Sequence, residues 1–249
     1  MTRERAWPDG YALKEFAQID STNEEAKRLA ASGAPVPVWI RADRQSAGRG
    51  RRGRAWQSPA GNLAATLLLR PDKPAGVCAQ LSFVAAIAAA ETVSRIVPAA
   101  DTRVKWPNDI LADGRKIAGI LLESASGRGA VPAWLAIGIG INLGSFPEDV
   151  EVPAISAAAL GAMPPAPHDA LTQLAGSFAK WYDIWRAQGF APVRDAWLAR
   201  AAKLGSRVTA RLATKDVSGV FEGIDETGAL ILRVGAGRTR LIAAGDVFF

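Results

Sequence analysis

The chain has one cysteine, Cys78, so no internal disulfide can form. It has one histidine, His168, so a structural zinc site of the usual Cys/His kind is excluded as well. Cys78 lies in an apolar, alanine-rich stretch and reads as a buried small hydrophobe, not a nucleophile. His168 stands between Pro167 and Asp169 in a proline-rich segment and reads as a solvated loop histidine, with nothing nearby to complete a triad. Met1 to Gly10 is polar with both charge signs and lacks the apolar region of a secretory signal. The longest apolar stretch, Val77 to Val97, is interrupted by Gln80, Ser82, Glu91, Thr92, Ser94 and Arg95, which predicts a buried core helix and not a membrane span. These features fit a reducing cytoplasm.

What remains is a chain with 49 % hydrophobic and 22 % charged residues, the composition of a folded globule. Thirty Lys and Arg against 24 Asp and Glu give +6, a moderate excess that suits an anionic ligand or partner without choosing one. Ser21-Thr22-Asn23-Glu24-Glu25 opens a helix with a capping-box pattern, and Gly33 ends it after about Ser32. Val36 to Ala42, Asn62 to Arg70 and Ala133 to Leu143 read as strands, the last two nearly continuous in apolar residues and so buried on both faces. Asp113-Gly114, between the apolar runs Ile110 to Ala112 and Lys116 to Ser124, predicts a tight hairpin. Leu171, Leu174, Ala175, Phe178, Trp181, Tyr182 and Trp185 recur at helical spacing. After Gly205 come the short strands Arg207–Arg211, Val217–Ile224, Ala229–Val234 and Thr239–Ala243, which suggest a small barrel. The chain therefore divides into 1–204 and 205–249.

Four segments could carry chemistry. Gln45 to Arg54 holds four arginines and three glycines among its later residues, and Trp56 follows. Glycine admits a ligand close to backbone amides and adjacent guanidinium groups neutralise several oxygens, so the loop suits phosphate or carboxylate; an exposed basic loop meeting RNA is the other reading. Lys105-Trp106-Pro107-Asn108-Asp109 is either a plain turn or a turn presenting a lysine, an amide and a carboxylate. Lys116, in Lys116-Ile117-Ala118-Gly119-Ile120-Leu121-Leu122-Glu123, follows directly on the hairpin turn and is a second candidate cation. Gly138-Ile139-Gly140-Ile141-Asn142 starts like a dinucleotide fingerprint, but Leu143 stands where the third glycine belongs; glycines inside a strand point instead to close approach of a ligand or another backbone.

In this order the segments resemble the biotin–protein ligases over residues 20 to about 143, with a C-terminal β-domain in the expected place. The resemblance implies an α/β (α+β) fold: a mixed central sheet with helices mainly on one face, related to the class II aminoacyl-tRNA synthetase core, plus an SH3-like barrel. It implies ATP-dependent formation of biotinyl-5′-AMP, with Mg²⁺ on the phosphates, and transfer to a lysine of a biotin carboxyl carrier protein of the acetyl-CoA carboxylase type. About 20 residues precede Ser21, too few for the helix-turn-helix domain of some members, so a monofunctional type that binds no DNA is expected, as monomer or homodimer. By the resemblance, biotin meets Ser21, Thr22, Asn23, Gln45, Arg49, Gly50, Arg51, Lys116, Gly138 and Gly140. The nucleotide meets Arg51, Arg54, Trp56 (on the adenine side), Lys105, Asn108, Lys116 and Asn142. Lys116, Arg51, Lys105 and Asp109 carry the chemistry, Asp109 orienting or deprotonating the incoming amine, and the arginine loop folds over the intermediate. No residue is expected to bind a metal directly. The rival readings are a lipoate–protein ligase or octanoyltransferase of the same fold, and a nucleic-acid-binding module.

Overall fold

The apolar runs of the sequence become two sheets. The computed structural model describes residues 6–148, 150–212, 214–235 and 237–249; residues 1–5 of the polar N-terminal stretch and Ala236 of the Gly235–Gly237 break lie outside them. The first sheet has seven strands in the order β1-β2-β3-β7-β6-β5-β4: β1 Ala12–Ile19, β2 Val38–Gln45, β3 Leu63–Leu69, β4 Thr102–Lys105, β5 Asp109–Ala112, β6 Arg115–Ala125 and β7 Trp134–Ile141. β1 and β2 run parallel and every other neighbouring pair is antiparallel, so the sheet is mixed.

Period-two side-chain alternation gives this sheet two different faces. On one, Leu63, Ala65, Leu67, Leu69, Ile137, Ile139 and Ile141 join the main core with the helices α3 (Leu81–Ile96), α4 (Pro167–Gln188) and α5 (Ala191–Leu198). On the other, α1 (Thr22–Ala31) packs alone, with Ala26 against Val38, Ile40, Leu68 and Ala136. Helices thus lie mainly on one face, and the remainder of the second face is left for the cleft.

The five-stranded antiparallel sheet β11-β10-β9-β8-β12 follows: β8 Arg207–Arg211, β9 Asp216–Ile224, β10 Leu230–Val234, β11 Arg238–Ile242 and β12 Asp246–Phe248. It shares the main core through Val208, Phe221, Leu230 and Val247. Trp106 Nε1 donates to Gly228 O at 3.0 Å, tying the turn after β4 to the turn between β9 and β10.

Several local expectations are corrected. The apolar stretch 77–97 is not one helix: α2 (Ala75–Cys78) and α3 meet at Ala79–Gln80, where i→i+3 bonds from Gln80, Ser82 and Phe83 tighten the chain. His168 is on the first turn of α4 rather than in a loop, 3.1 Å from Glu15 Oε1. No side-chain cap forms at Ser21; instead Asp20 Oδ1 accepts from Ser21 N at 2.7 Å. β1 was missing from the sequence reading. Its partly buried residues Leu13, Phe16 and Ile19 recur every three positions, since an edge strand buries little. The hairpin forms as expected, with Asp113 at φ 49° and Gly114 at φ 75° supplying the two positive-φ positions of its turn.

Candidate active site

The cleft of about 430 Å³ opens on the α1 face of the seven-stranded sheet. Its floor follows from the alternation in β7: the isoleucines of Gly138-Ile139-Gly140-Ile141 enter the core, which turns both glycines to the cleft. In register, Gly140 lies between Ala64 of β3 and Gly119 of β6, and Gly138 between Thr66 and Leu121. Small residues on three adjacent strands leave room that side chains from elsewhere enter. A methyl group on Gly138 would overlap Asn23 Oδ1, and one on Gly140 would overlap the Trp56 indole.

The start of α1 closes one end of the cleft. Ser21, Thr22 and Asn23 are buried polar residues, each at most 4 % exposed. Gln45, at the end of β2, accepts from Thr22 N (2.8 Å) and lies 3.1 Å from Thr22 Oγ1, while its amide donates to Ser58 Oγ (2.8 Å). Thr66, fully buried on β3, sits 2.6 Å from Asn23 Oδ1 and 2.8 Å from Thr22 Oγ1.

The arginine loop forms the rim. Arg51 to Gly53 make one 3₁₀ turn with Arg52 at φ 56° and Gly53 at φ 73°. Gly48 faces the Trp56 carbonyl so closely that a Cβ there would strike it, which is why a glycine stands at this position. Arg49 pairs with Glu24 of α1. On the far side Arg51, Arg52 and Arg54 converge on one carboxylate, Asp246 of β12, at 3.2, 3.3 and 3.1 Å. Arg51 also reaches Asn108 Oδ1 (3.3 Å) and Gly245 O (3.2 Å). Burial lowers the Arg51 pKa, and the Asp246 charge offsets only part of that.

The remaining predicted residues come from β4, β5, β6 and β7. Lys116 is set on β6 beside the bulge in the β5–β6 pairing and is held by the bonds Lys116 N→Pro153 O (2.8 Å) and Ile155 N→Lys116 O (2.9 Å). Its ammonium is 2.6 Å from Asp109 Oδ1 and 5.5 Å from the centre of the Trp56 ring. Lys105 is 8 % exposed, between the rings of Phe248 and Phe249 at 5.5 and 5.0 Å. Burial pulls its pKa below that of a free lysine; the Asp109 charge opposes the shift and the Lys116 charge adds to it. Asn108 donates to Ile120 O (2.5 Å) and Asn142 to Ile155 O (3.1 Å), so both amides also brace their own loops.

All the predicted residues, Ser21 to Asn23, Gln45, Arg49 to Arg51, Arg54, Trp56, Lys105, Asn108, Asp109, Lys116, Gly138, Gly140 and Asn142, line this one cleft. Trp56, expected beside adenine, rests on Gly119 and Gly140. The sequence reading missed Gly119, Thr66, Asp246 and Phe248. Gly119 was detectable as a glycine in a strand; Thr66 looked like any residue of a buried strand, and Asp246 belongs to no motif. Among the described residues, no group of three or more His, Cys, Asp or Glu side chains is placed to hold a metal ion.

A mixed seven-stranded sheet followed by a five-stranded antiparallel C-terminal sheet is the fold of the biotin protein ligases. The structure of the Aquifex aeolicus biotin protein ligase in complex with biotin and ATP superposes with a TM-score of 0.82 at 25 % identity, covering 95 % of this chain and 97 % of that one. Residues 15–142 match the model of the biotin/lipoate A/B protein ligase family, and residues 203–249 match the biotin protein ligase C-terminal domain. The chain is 49 % identical over 246 residues to the biotin–[acetyl-CoA-carboxylase] ligase of Paracoccus denitrificans, covering 94 % of this chain and 99 % of that protein. It is 37 % identical to the enzyme of the same name from Mycobacterium tuberculosis, covering 94 % and 88 %. The chain belongs to the biotin/lipoate A/B protein ligase family.

Proposed function

We propose that this chain activates biotin with ATP to biotinyl-5′-AMP and passes the biotinyl group to a lysine of a biotin carboxyl carrier protein of the acetyl-CoA carboxylase type. The observation that carries the reading is the convergence of the α1 start, the arginine loop, Lys105, Lys116 and the glycine floor on one cleft, in a chain whose similar proteins are biotin ligases.

In the first step a carboxylate oxygen of biotin attacks the α-phosphorus and the bond to pyrophosphate breaks. A carboxylate approaching a tetra-anionic nucleotide is repelled, so fixed cations at the meeting point lower the barrier. Lys116 is poised for this: Asp109 holds its ammonium in the free protein, and the strand that follows it is anchored by buried Ile117, Ala118 and Ile120. Lys105, already partly stripped of water, takes a phosphate oxygen, and Arg51 and Arg54 exchange Asp246 for phosphate. Mg²⁺ enters as part of the nucleotide substrate, since the cleft carboxylates Asp109, Glu151 and Asp246 are each paired with a Lys or Arg rather than gathered into a cage. In the second step the lysine ε-amine attacks the acyl carbon and AMP leaves. Asp109, released from Lys116, orients that amine or takes its proton. The arginine rim over the cleft keeps water from the anhydride. We assign residues 1–204 to catalysis and 205–249 to the mouth of the nucleotide end, and the reaction to the cytoplasm.

The test is transfer. Purified protein, MgATP and labelled biotin should label a biotin carboxyl carrier protein at its acceptor lysine, and labelled lipoate should leave a lipoyl domain unmodified. Lipoylation without biotinylation would transfer the chain to the sister activity.

A further inference from the structure

Behind the buried polar end of the cleft lies a carboxylate that the mechanism does not use. Glu123 is on β6, opposite Ala136 of β7 and two residues beyond the cleft-lining Leu121. Asn23 Nδ2 donates to its Oε2 at 2.7 Å and Lys27 Nζ to its Oε1 at 3.1 Å; Arg49 Nη2 stands 3.7 Å from the same Oε1. Burial raises the Glu123 pKa, but these donors and the charges of Lys27 and Arg49 more than offset that and keep it ionised at neutral pH.

An ionised carboxylate can only accept hydrogen bonds. Asn23 must therefore turn its Nδ2 to Glu123 and its Oδ1 to the sheet, where Thr66 Oγ1 is 2.6 Å away. Thr66 has one hydroxyl hydrogen and gives it to Asn23. Thr66 Oγ1 must then accept from Thr22 Oγ1, 2.8 Å away, because two oxygens at that distance with no hydrogen between them repel. Thr22 in turn has no hydrogen left for Gln45 Oε1, 3.1 Å away, which keeps only the Thr22 backbone N–H. The direction of the whole chain follows from the charge at its far end, and Gln45 Oε1 is left with an open lone pair at the cleft wall.

We propose that Glu123 is a positioning residue that fixes the direction of the relay Asn23–Thr66–Thr22–Gln45 and so makes the α1 end of the cleft an acceptor for an N–H donor, of the kind a cyclic urea carries. The inference rests on the biotin reading above and names the residue that sets its polarity. Lipoate, whose ring carries no N–H, gains nothing from such an acceptor.

The experiment is biotin titration of the full chain by calorimetry, with thermal unfolding and the KM for ATP recorded alongside. Glu123→Gln leaves Asn23 free to reverse and should weaken biotin about tenfold to a hundredfold, the range for a hydrogen bond to a charged partner, with the KM for ATP within twofold. Asn23→Asp sets two carboxylates against each other and should weaken biotin at least as much. The double variant Asn23→Asp/Glu123→Gln restores the direction, because the Gln amide donates to Asp and Asp still accepts from Thr66. It should bind biotin more tightly than either single variant. A double variant as weak as the product of the two single losses would overturn the relay, and so would a Glu123→Gln that lowers only the unfolding temperature. Wild-type protein that binds no biotin would instead refute the functional reading.

Discussion

Replacing Asp246 by asparagine keeps the shape of the side chain and removes the charge on which three arginines converge. The pairs are unequal. Arg52 and Arg54 are 43 % and 49 % exposed, so each contributes about 0–1 kcal/mol. Arg51 is 24 % exposed and Asp246 15 %, so that pair is worth more, although the gain falls well short of the 3–5 kcal/mol of a fully buried pair broken on one side. Arg51 also keeps Asn108 and Gly245 as acceptors. A loss of about 1–2 kcal/mol in holding the arginine loop against β12 is the expected sum. Hydrogen exchange reads this directly, because the loop is closed by Gly50 N→Arg54 O (2.7 Å) and Trp56 N→Gly48 O (2.9 Å). In Asp246→Asn these amides should exchange about 5- to 30-fold faster, at 1.4 kcal/mol per tenfold, while the amides of β3 and β7 stay unchanged. Unchanged loop exchange in Asp246→Asn, with acceleration in Arg51→Ala, would refute the reasoning that Asp246 is the tether.

Gly138→Ala should weaken biotin about tenfold or more and leave the KM for ATP within twofold, because its methyl group displaces an Asn23 held on two sides; equal losses for both substrates in steady-state kinetics would count against it. Lys105 should lose its proton below the usual lysine range. Its folded pKa is depressed, so holding it charged costs stability; that cost is absent above the unfolded pKa near 10.5 and is incurred as pH falls through the folded pKa. The alkaline limb of adenylate formation should therefore fall below pH 10.5, and Lys105→Arg should push it upward; a limb unmoved by the substitution would remove Lys105 from the step. Trp106→Phe strips the buried Gly228 carbonyl of its donor and should lower stability by about 1–2 kcal/mol in chemical denaturation.

The parts of this molecule that were legible in the sequence are those where a local rule and the tertiary demand agree. Asp113-Gly114 is a hairpin because both positions need positive φ, and the strands after Gly205 follow short apolar runs between glycines. The glycines of β7 were readable as a place of close approach, but what approaches was not: Asn23 and Trp56 come from an α-helix and a loop far away in sequence. Ser21 and Thr22 carried a capping-box signal that the structure does not use: Ser21 makes no side-chain cap, and Thr22 turns its hydroxyl to Thr66 and its N–H to Gln45. That is the kind of conflict between local preference and global structure expected where function is built. Asp246 was illegible as a site residue because it belongs to no motif and acts through a pairing with Arg51, 195 positions away; Glu123 closes the Lys116–Glu123 segment, but its role was illegible because its partner Asn23 lies 100 positions away. β1 left no alternation because, as an edge strand, it buries none of its side chains fully: Leu13, Phe16 and Ile19 are only partly covered by the core.

The central claim is that Lys116 neutralises the charge that builds between biotin and ATP. It is tested most directly by incubating the protein with biotin, Mg²⁺ and α-labelled ATP in the absence of acceptor and separating the products. The account predicts biotinyl-5′-AMP that requires biotin and forms about 10²- to 10³-fold more slowly in Lys116→Ala, the loss typical of a preorganised charge or donor. Adenylate formed at the wild-type rate by Lys116→Ala, or with lipoate in place of biotin, would contradict it.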